Sequence, residues 1–166
     1  MQLTLDRLAN LALIVRCIGA TALIARNWNP TQRVFVPPET YKTGEEVRWA
    51  DMLPSGDDRF VVVFVRSTCS FCTNSMPFYA RLNDLIEDAA TVRLLFIGDE
   101  PKEVIETYLR QNGVDAKNIY RLNNPDPKLG VTPTLLVLRG RKVTHSWVGQ
   151  LDRSKEGDVT KALQLE

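Results

Sequence analysis

Hydrophobic positions in this chain change period several times, and each change marks an element. Residues 60–65, FVVVFV, are apolar without alternation, as a strand covered on both faces would be. From about Ser70 the period lengthens. Phe78, Leu82, Leu85, Ile86 and Ala89 share one helical face, and Pro77 is expected to kink that helix because it lacks a backbone N–H. A second apolar run at 92–97 closes on Gly98. Asp99 has the chemistry of a helix cap and Pro101 that of a first-turn residue. Val104, Ile105, Tyr108 and Leu109 then form a buried stripe that Gly113 ends. Residues 119–122 read as a short strand. Residues 135–138 and 143–148 read as two strands joined by a turn at Gly140, Gly149 breaks the second, and 154–163 form a modest last helix. Strand, helix, strand, helix, hairpin and helix together predict an α/β domain with a central mixed β-sheet flanked by helices.

The pattern differs upstream. Residues 8–25, LANLALIVRCIGATALIA, are mostly apolar and about the length of a membrane span. Arg16 near the centre opposes insertion by about 2.5–3.5 kcal/mol, a cost that a long side chain reduces by snorkelling. Segment 1–26 is expected to be an N-terminal membrane anchor or a signal segment, with Ala20-Thr21-Ala22 as a small-residue exit. A soluble helix is the third reading. Cys17 lies within this apolar stretch and reads as an ordinary helix residue. Residues 27–40, with Pro30, Pro37 and Pro38 among polar residues, read as an extended spacer. The folded domain is expected over 41–166. Gly44, Pro54 and Ser55-Gly56 mark residues 41–59 as a short strand or irregular lead-in.

Composition changes this picture little. The 166 residues, 44% hydrophobic and 25% charged, suffice for a domain with a real core. A net charge of +1 gives no field that favours nucleic acid. The three cysteines, Cys17, Cys69 and Cys72, exclude a disulfide-stapled scaffold. With His145 the only histidine, no structural metal site is expected, since such a site needs about four ligands.

The chemistry concentrates at Cys69-Ser70-Phe71-Cys72, which follows the apolar strand and opens the helix. A Cys-x-x-C pair there is where helix-terminal N–H groups make a thiol reactive. Cys69 is the expected nucleophile and Cys72, one turn on and shielded, the resolving thiol. Arg66 is a candidate source of positive charge. Phe71, between the cysteines, supplies apolar contact area. His145, with Val143 and Trp147 expected on the same face of one strand, reads as packing. Trp49 likewise reads as packing rather than as part of a ligand site.

These residues, with three further features in matching order, resemble the thioredoxin superfamily. The features are Pro77 five residues past Cys72, Thr132-Pro133 before the apolar strand TLLVL, and the hairpin RGRKVTHSWVGQL with Gly149 ahead of the last helix. The match covers about residues 58–163. The N-terminal segment and the lead-in YKTGEEV look most like the membrane-anchored TlpA/ResA-type branch. The resemblance implies a thioredoxin-like fold and thiol–disulfide exchange with client proteins, which carry disulfides or dithiols. It implies a cis bond at Pro133, and a client strand laid beside Thr132 and Pro133. It also implies an upstream redox partner, no cofactor, and a domain held on the periplasmic or extracellular side through the N-terminal helix, or secreted after cleavage. The chain departs from the family where relatives place acids: Val63 stands six residues before Cys69 and Ser75 three after Cys72. Thr68 replaces the frequent tryptophan before the first cysteine. A peroxiredoxin is disfavoured by Val62 and Arg66 at its signature positions. The remaining alternatives are a dithiol oxidant and a thioredoxin-fold docking module with little turnover.

Overall fold

The computed structural model describes residues 16–18, 20, 22, 37–54, 59–87 and 92–164. The chain divides into two units, 1–36 and 37–166. In the first unit the described residues are helical and exposed. Among the described residues no helix is long and apolar enough to cross a membrane. The expected anchor at 1–26, the spacer at 27–36 and Ala89 otherwise lie outside the described residues.

The second unit is built on a five-stranded sheet. Its strands are β1 (Arg59–Phe64), β2 (Val92–Gly98), β3 (Ile119–Arg121), β4 (Thr134–Arg139) and β5 (Lys142–Val148), in the order β3-β2-β1-β4-β5. β1 pairs parallel with β2 and antiparallel with β4, so the sheet is mixed, as the element order predicts. The helices are α1 (Ser70–Glu87), α2 (Lys102–Gln111) and α3 (Arg153–Leu163). β1 is central and buried along almost its whole length, which explains why its sequence shows no alternation.

The two faces of the sheet are covered differently. Val61, Val63, Phe96, Leu135 and Val137 face α1, α2 and α3, which supply Met76, Tyr79, Leu82, Ile105, Leu109, Val159 and Leu163. Phe60, Val62, Leu95, Ile97, Leu136 and Leu138 face a layer without α-helix, containing Tyr41, Val47, Trp49, Leu122 and Leu129. Hydrogen bonds hold that layer. Tyr41 Oη donates to the buried Asp126 carboxylate, which also accepts the Lys128 N–H at 3.0 Å. Lys128 Nζ lies 2.7 Å from Glu45 Oε2. The lead-in also borders β5: Gly44 N–H donates to Val143 O at 2.8 Å and Val143 N–H to Glu45 O at 2.8 Å.

α1 continues past Pro77, which is exposed, as is Thr73 one turn earlier. Several local expectations need correction. Phe78, Leu82 and Ile86 are buried, but Leu85 sits off the edge of the stripe and is 44% exposed. Val104 is likewise exposed, one position outside the Ile105/Tyr108/Leu109 face. Asp99 does not cap α2. Pro101 is the capping residue, without a side-chain bond, and Asp99 binds Arg66 instead. A register shift between Val137 and Leu138 inserts an extra residue into β5. Val143 therefore opposes Leu138 on one face while His145 and Trp147 oppose Val137 and Leu135 on the other. His145 and Trp147 stack, with ring centroids 5.7 Å apart.

Gly98 lets β2 and β1 close together at the end of the sheet nearest Cys69. A Cβ there would lie 2.8 Å from Val65 O and 2.8 Å from Ile105 Cδ1. The carbonyl is backbone and cannot swing aside. Gly98→Ala is therefore expected to destabilise the domain by about 1–3 kcal/mol through overpacking. Urea unfolding checks this, and an unchanged midpoint would contradict the close approach.

Candidate active site around Cys69 and Cys72

β1 ends at Phe64 and the chain turns through residues 66–68 into α1. The turn is closed by Cys69 N–H donating to Arg66 O at 3.1 Å. Cys69 is the last residue before α1 and is half-buried, whereas Cys72, in the first turn, has no exposed surface. Both carry free thiols, and the two residues approach to 2.9 Å. The first N–H groups of a helix have no intrahelical acceptor. One of them, Cys72 N–H, points at Cys69 Sγ at 3.2 Å.

Burial works against a Cys69 thiolate. The side chains of Cys72 and Thr132 and the N–H groups of Cys72 and Phe71 outweigh it, and the pKa is lowered. Cys72 behaves in the opposite way. Burial, then its hydrogen bond to Cys69, pushes its thiol up to about 12. The pair is therefore asymmetric: Cys69 gives up its proton more readily than an ordinary cysteine, and Cys72 far less readily.

The loop before β4 completes the surroundings. The Thr132-Pro133 bond is cis. Cys69 Sγ–H lies 3.4 Å from Thr132 O, to which it donates. Thr134 Oγ–H donates to Val131 O at 2.7 Å and Gly149 N–H to Pro133 O at 2.8 Å, which tie the loop to β4 and to the residue after β5. Pro133 is buried and Thr132 half-buried, while Phe71 stands out at 56% exposure. Cys69, Cys72 and Thr132 are thus in direct contact, and Phe71 projects from the same turn of helix.

The positions without acids are filled tightly. Val63 is fully buried, and Ser75 is buried with its hydroxyl donating to Phe71 O at 3.0 Å. Carboxylates reach the site from elsewhere. Asp99 and Glu100, directly after β2, contact Arg66 and Ser67. The Arg66 charge is therefore already paired, and Arg66 holds the Asp99 pKa low through that hydrogen bond. Tyr108 also enters, its hydroxyl 3.0 Å from Thr73 Oγ1, and Thr73 in turn donates to Cys69 O at 3.3 Å. Hydropathy gives no hint of these neighbours. The parallel pairing of β1 and β2 does, because residues just past adjacent parallel strands emerge together. Among the described residues no group of His, Cys, Asp and Glu side chains is arranged to hold a metal.

No family model matches the chain, and no curated protein matches it. Solved structures do. A protein assigned as thiol:disulfide interchange protein DsbE from Chlorobium tepidum aligns with a TM-score of 0.57 and 18% identity over 76% of this chain and 99% of its own. A protein assigned as a disulfide isomerase from Bacteroides thetaiotaomicron gives 0.57 and 16% over 79% and 89%. A secreted Mycobacterium tuberculosis disulfide oxidoreductase, described as homologous to E. coli DsbE, gives 0.52 and 10% over 74% and 94%. At these identities the likeness is one of fold. The strand order, the cysteine pair opening α1, the cis-proline loop and these structural likenesses together assign the second unit to the thioredoxin fold.

Proposed function

We propose that this protein is a thiol–disulfide oxidoreductase that reduces disulfides in client proteins through Cys69 and Cys72. The observation that carries the reading is the asymmetry of the pair: a half-buried Cys69 with a lowered pKa, backed by a fully buried Cys72 held near 12. The Cys69 thiolate attacks one sulfur of a client disulfide. A Cys69–client bond forms, the client S–S bond breaks, and the expelled client thiolate takes a proton from solvent. Cys72 then gives up its proton to solvent and attacks Cys69 Sγ. A Cys69–Cys72 bond forms, and the second client sulfur leaves as thiolate. Two electrons pass to the client, and an upstream dithiol partner restores the reduced pair.

The same site supports recognition of an extended client segment. The Thr132 backbone beside Cys69 is a natural place for strand addition, with the exposed Phe71 ring as apolar contact area. Residues 1–26 would tether or export the domain, placing the chemistry on the periplasmic or extracellular side. The secreted M. tuberculosis protein of like fold supports that placement.

Iodoacetamide trapping read by mass spectrometry is expected to label Cys69 with a pH midpoint below the free-cysteine value of about 8.5, while Cys72 stays unlabelled in the folded protein at neutral pH. As pH rises, Cys69 ionises first and Cys72 only towards 12. Equal labelling of the two at neutral pH contradicts the asymmetry. Cys69→Ser is expected to abolish insulin-disulfide reduction. Cys72→Ser should instead accumulate client proteins on Cys69 as mixed disulfides, visible on non-reducing gels and released by reductant. A Cys72→Ser protein that reacts with alkylating agents but captures no client would rule out client exchange.

A further inference from the structure

Two carboxylates reach the loop before Cys69 from the neighbouring strand. The β1–β2 pairing runs to Phe64↔Ile97, so the loops after both strands leave the sheet side by side. Arg66 Nε donates to Asp99 Oδ1 at 3.2 Å and to Oδ2 at 3.0 Å, and Nη2 donates to Oδ2 at 2.8 Å. This is the forked geometry in which a guanidinium and a carboxylate bind most specifically. Glu100 grips the next residue: Ser67 N–H donates to Oε2 at 2.7 Å and Ser67 Oγ–H to Oε1 at 2.6 Å. Arg66 and Ser67 stand three and two residues before Cys69.

Among the described residues the ionic balance at this loop is one cation, Arg66, against two carboxylates, Asp99 and Glu100. The other titratable groups acting on Cys69 are Cys72 and Tyr79 from α1 and Tyr108 from α2. The loop from Gly130 to Pro133 brings no charge. An unpaired arginine beside a cysteine stabilises the thiolate. Stabilising the reduced form in this way makes a dithiol couple more oxidising. Here the Arg66 cation is occupied by Asp99, and Glu100 adds negative charge behind it.

We propose that Asp99 and Glu100 are positioning residues for the dithiol: they fix Arg66 and Ser67 and cancel the Arg66 charge that would otherwise favour the Cys69 thiolate, which biases the couple towards reduction of clients. The inference rests on Cys69 being the nucleophile. It adds a source for the direction of the reaction in a chain whose familiar acid positions hold Val63 and Ser75.

The test compares full-length wild type, Arg66→Gln, Asp99→Asn, Glu100→Gln and Asp99→Glu. It reads the pH midpoint of Cys69 alkylation and the equilibrium constant with glutathione. Asp99→Asn and Glu100→Gln should lower the midpoint by roughly half a unit and make the pair more oxidising. Arg66→Gln should raise it by a similar amount and make the pair more reducing. Asp99→Glu, which keeps the charge, should stay near wild type. A clamp that merely shapes the loop would move the neutralising variants in one common direction, whatever the sign of the charge removed. That result, or midpoints that do not move, overturns this inference alone. A wild-type Cys69 without a depressed midpoint overturns the nucleophile reading and this inference with it.

Discussion

The backbone at the start of α1 sets the terms for everything around it. The N–H groups of Phe71 and Cys72 belong to the first turn and lack helical acceptors, and the Cys69 sulfur occupies the place where they converge. A half-buried thiol surrounded by apolar side chains would otherwise have a raised pKa and little reactivity. The same helical geometry carries Cys72 one turn further and inward, into the core with Val63, Met76 and Tyr79. Burial that is a modest penalty at Cys69 dominates at Cys72. A single helix start thus separates two chemically identical side chains into a thiol whose pKa is lowered and one whose pKa is raised.

Sheet topology brings the rest of the site to that helix start. Phe64 is the register partner of both Ile97 on β2 and Thr134 on β4. The end of β1, the end of β2 and the beginning of antiparallel β4 therefore coincide. Three loops meet there: 66–69 with Cys69, 99–101 with the carboxylates, and 130–133 with the cis-proline. Gly98 permits the close approach on one side. The hydrogen bond from Gly149 to Pro133 O fixes the other. The covering of the opposite face by residues 41–50 and 122–129 leaves this edge of the sheet intact while the helical face carries the dithiol.

Much of this was legible from sequence, for identifiable reasons. Continuous apolar runs reported the central strands because burial on two faces removes alternation. The Cys-x-x-C pair stood out because its place between strand and helix is local information. Boundary and face errors came from tertiary competition. Asp99 has the right chemistry for a cap, but a forked bond to Arg66, thirty-three residues earlier, takes its carboxylate. The β5 bulge reverses the facing of His145 and Trp147 relative to Val143, and nothing within the hairpin sequence announces an inserted residue. Leu85 and Val104 are single steps off a helical stripe, where hydropathy alone does not set the edge. The carboxylates at the site are the clearest omission. They approach across a strand pair, not along the chain, and emerge only once β1 and β2 are known to be parallel neighbours.

The proposed reducing direction of the Cys69–Cys72 pair rests on Arg66: its charge, which would further stabilise the Cys69 thiolate, is already spent on Asp99. The reduction potential of the pair, measured by equilibration with glutathione and with dithiothreitol on the full-length protein, tests this most directly. A value near that of thioredoxin, about −270 mV, is predicted. A value near that of a strong oxidant, about −120 mV, would contradict the account.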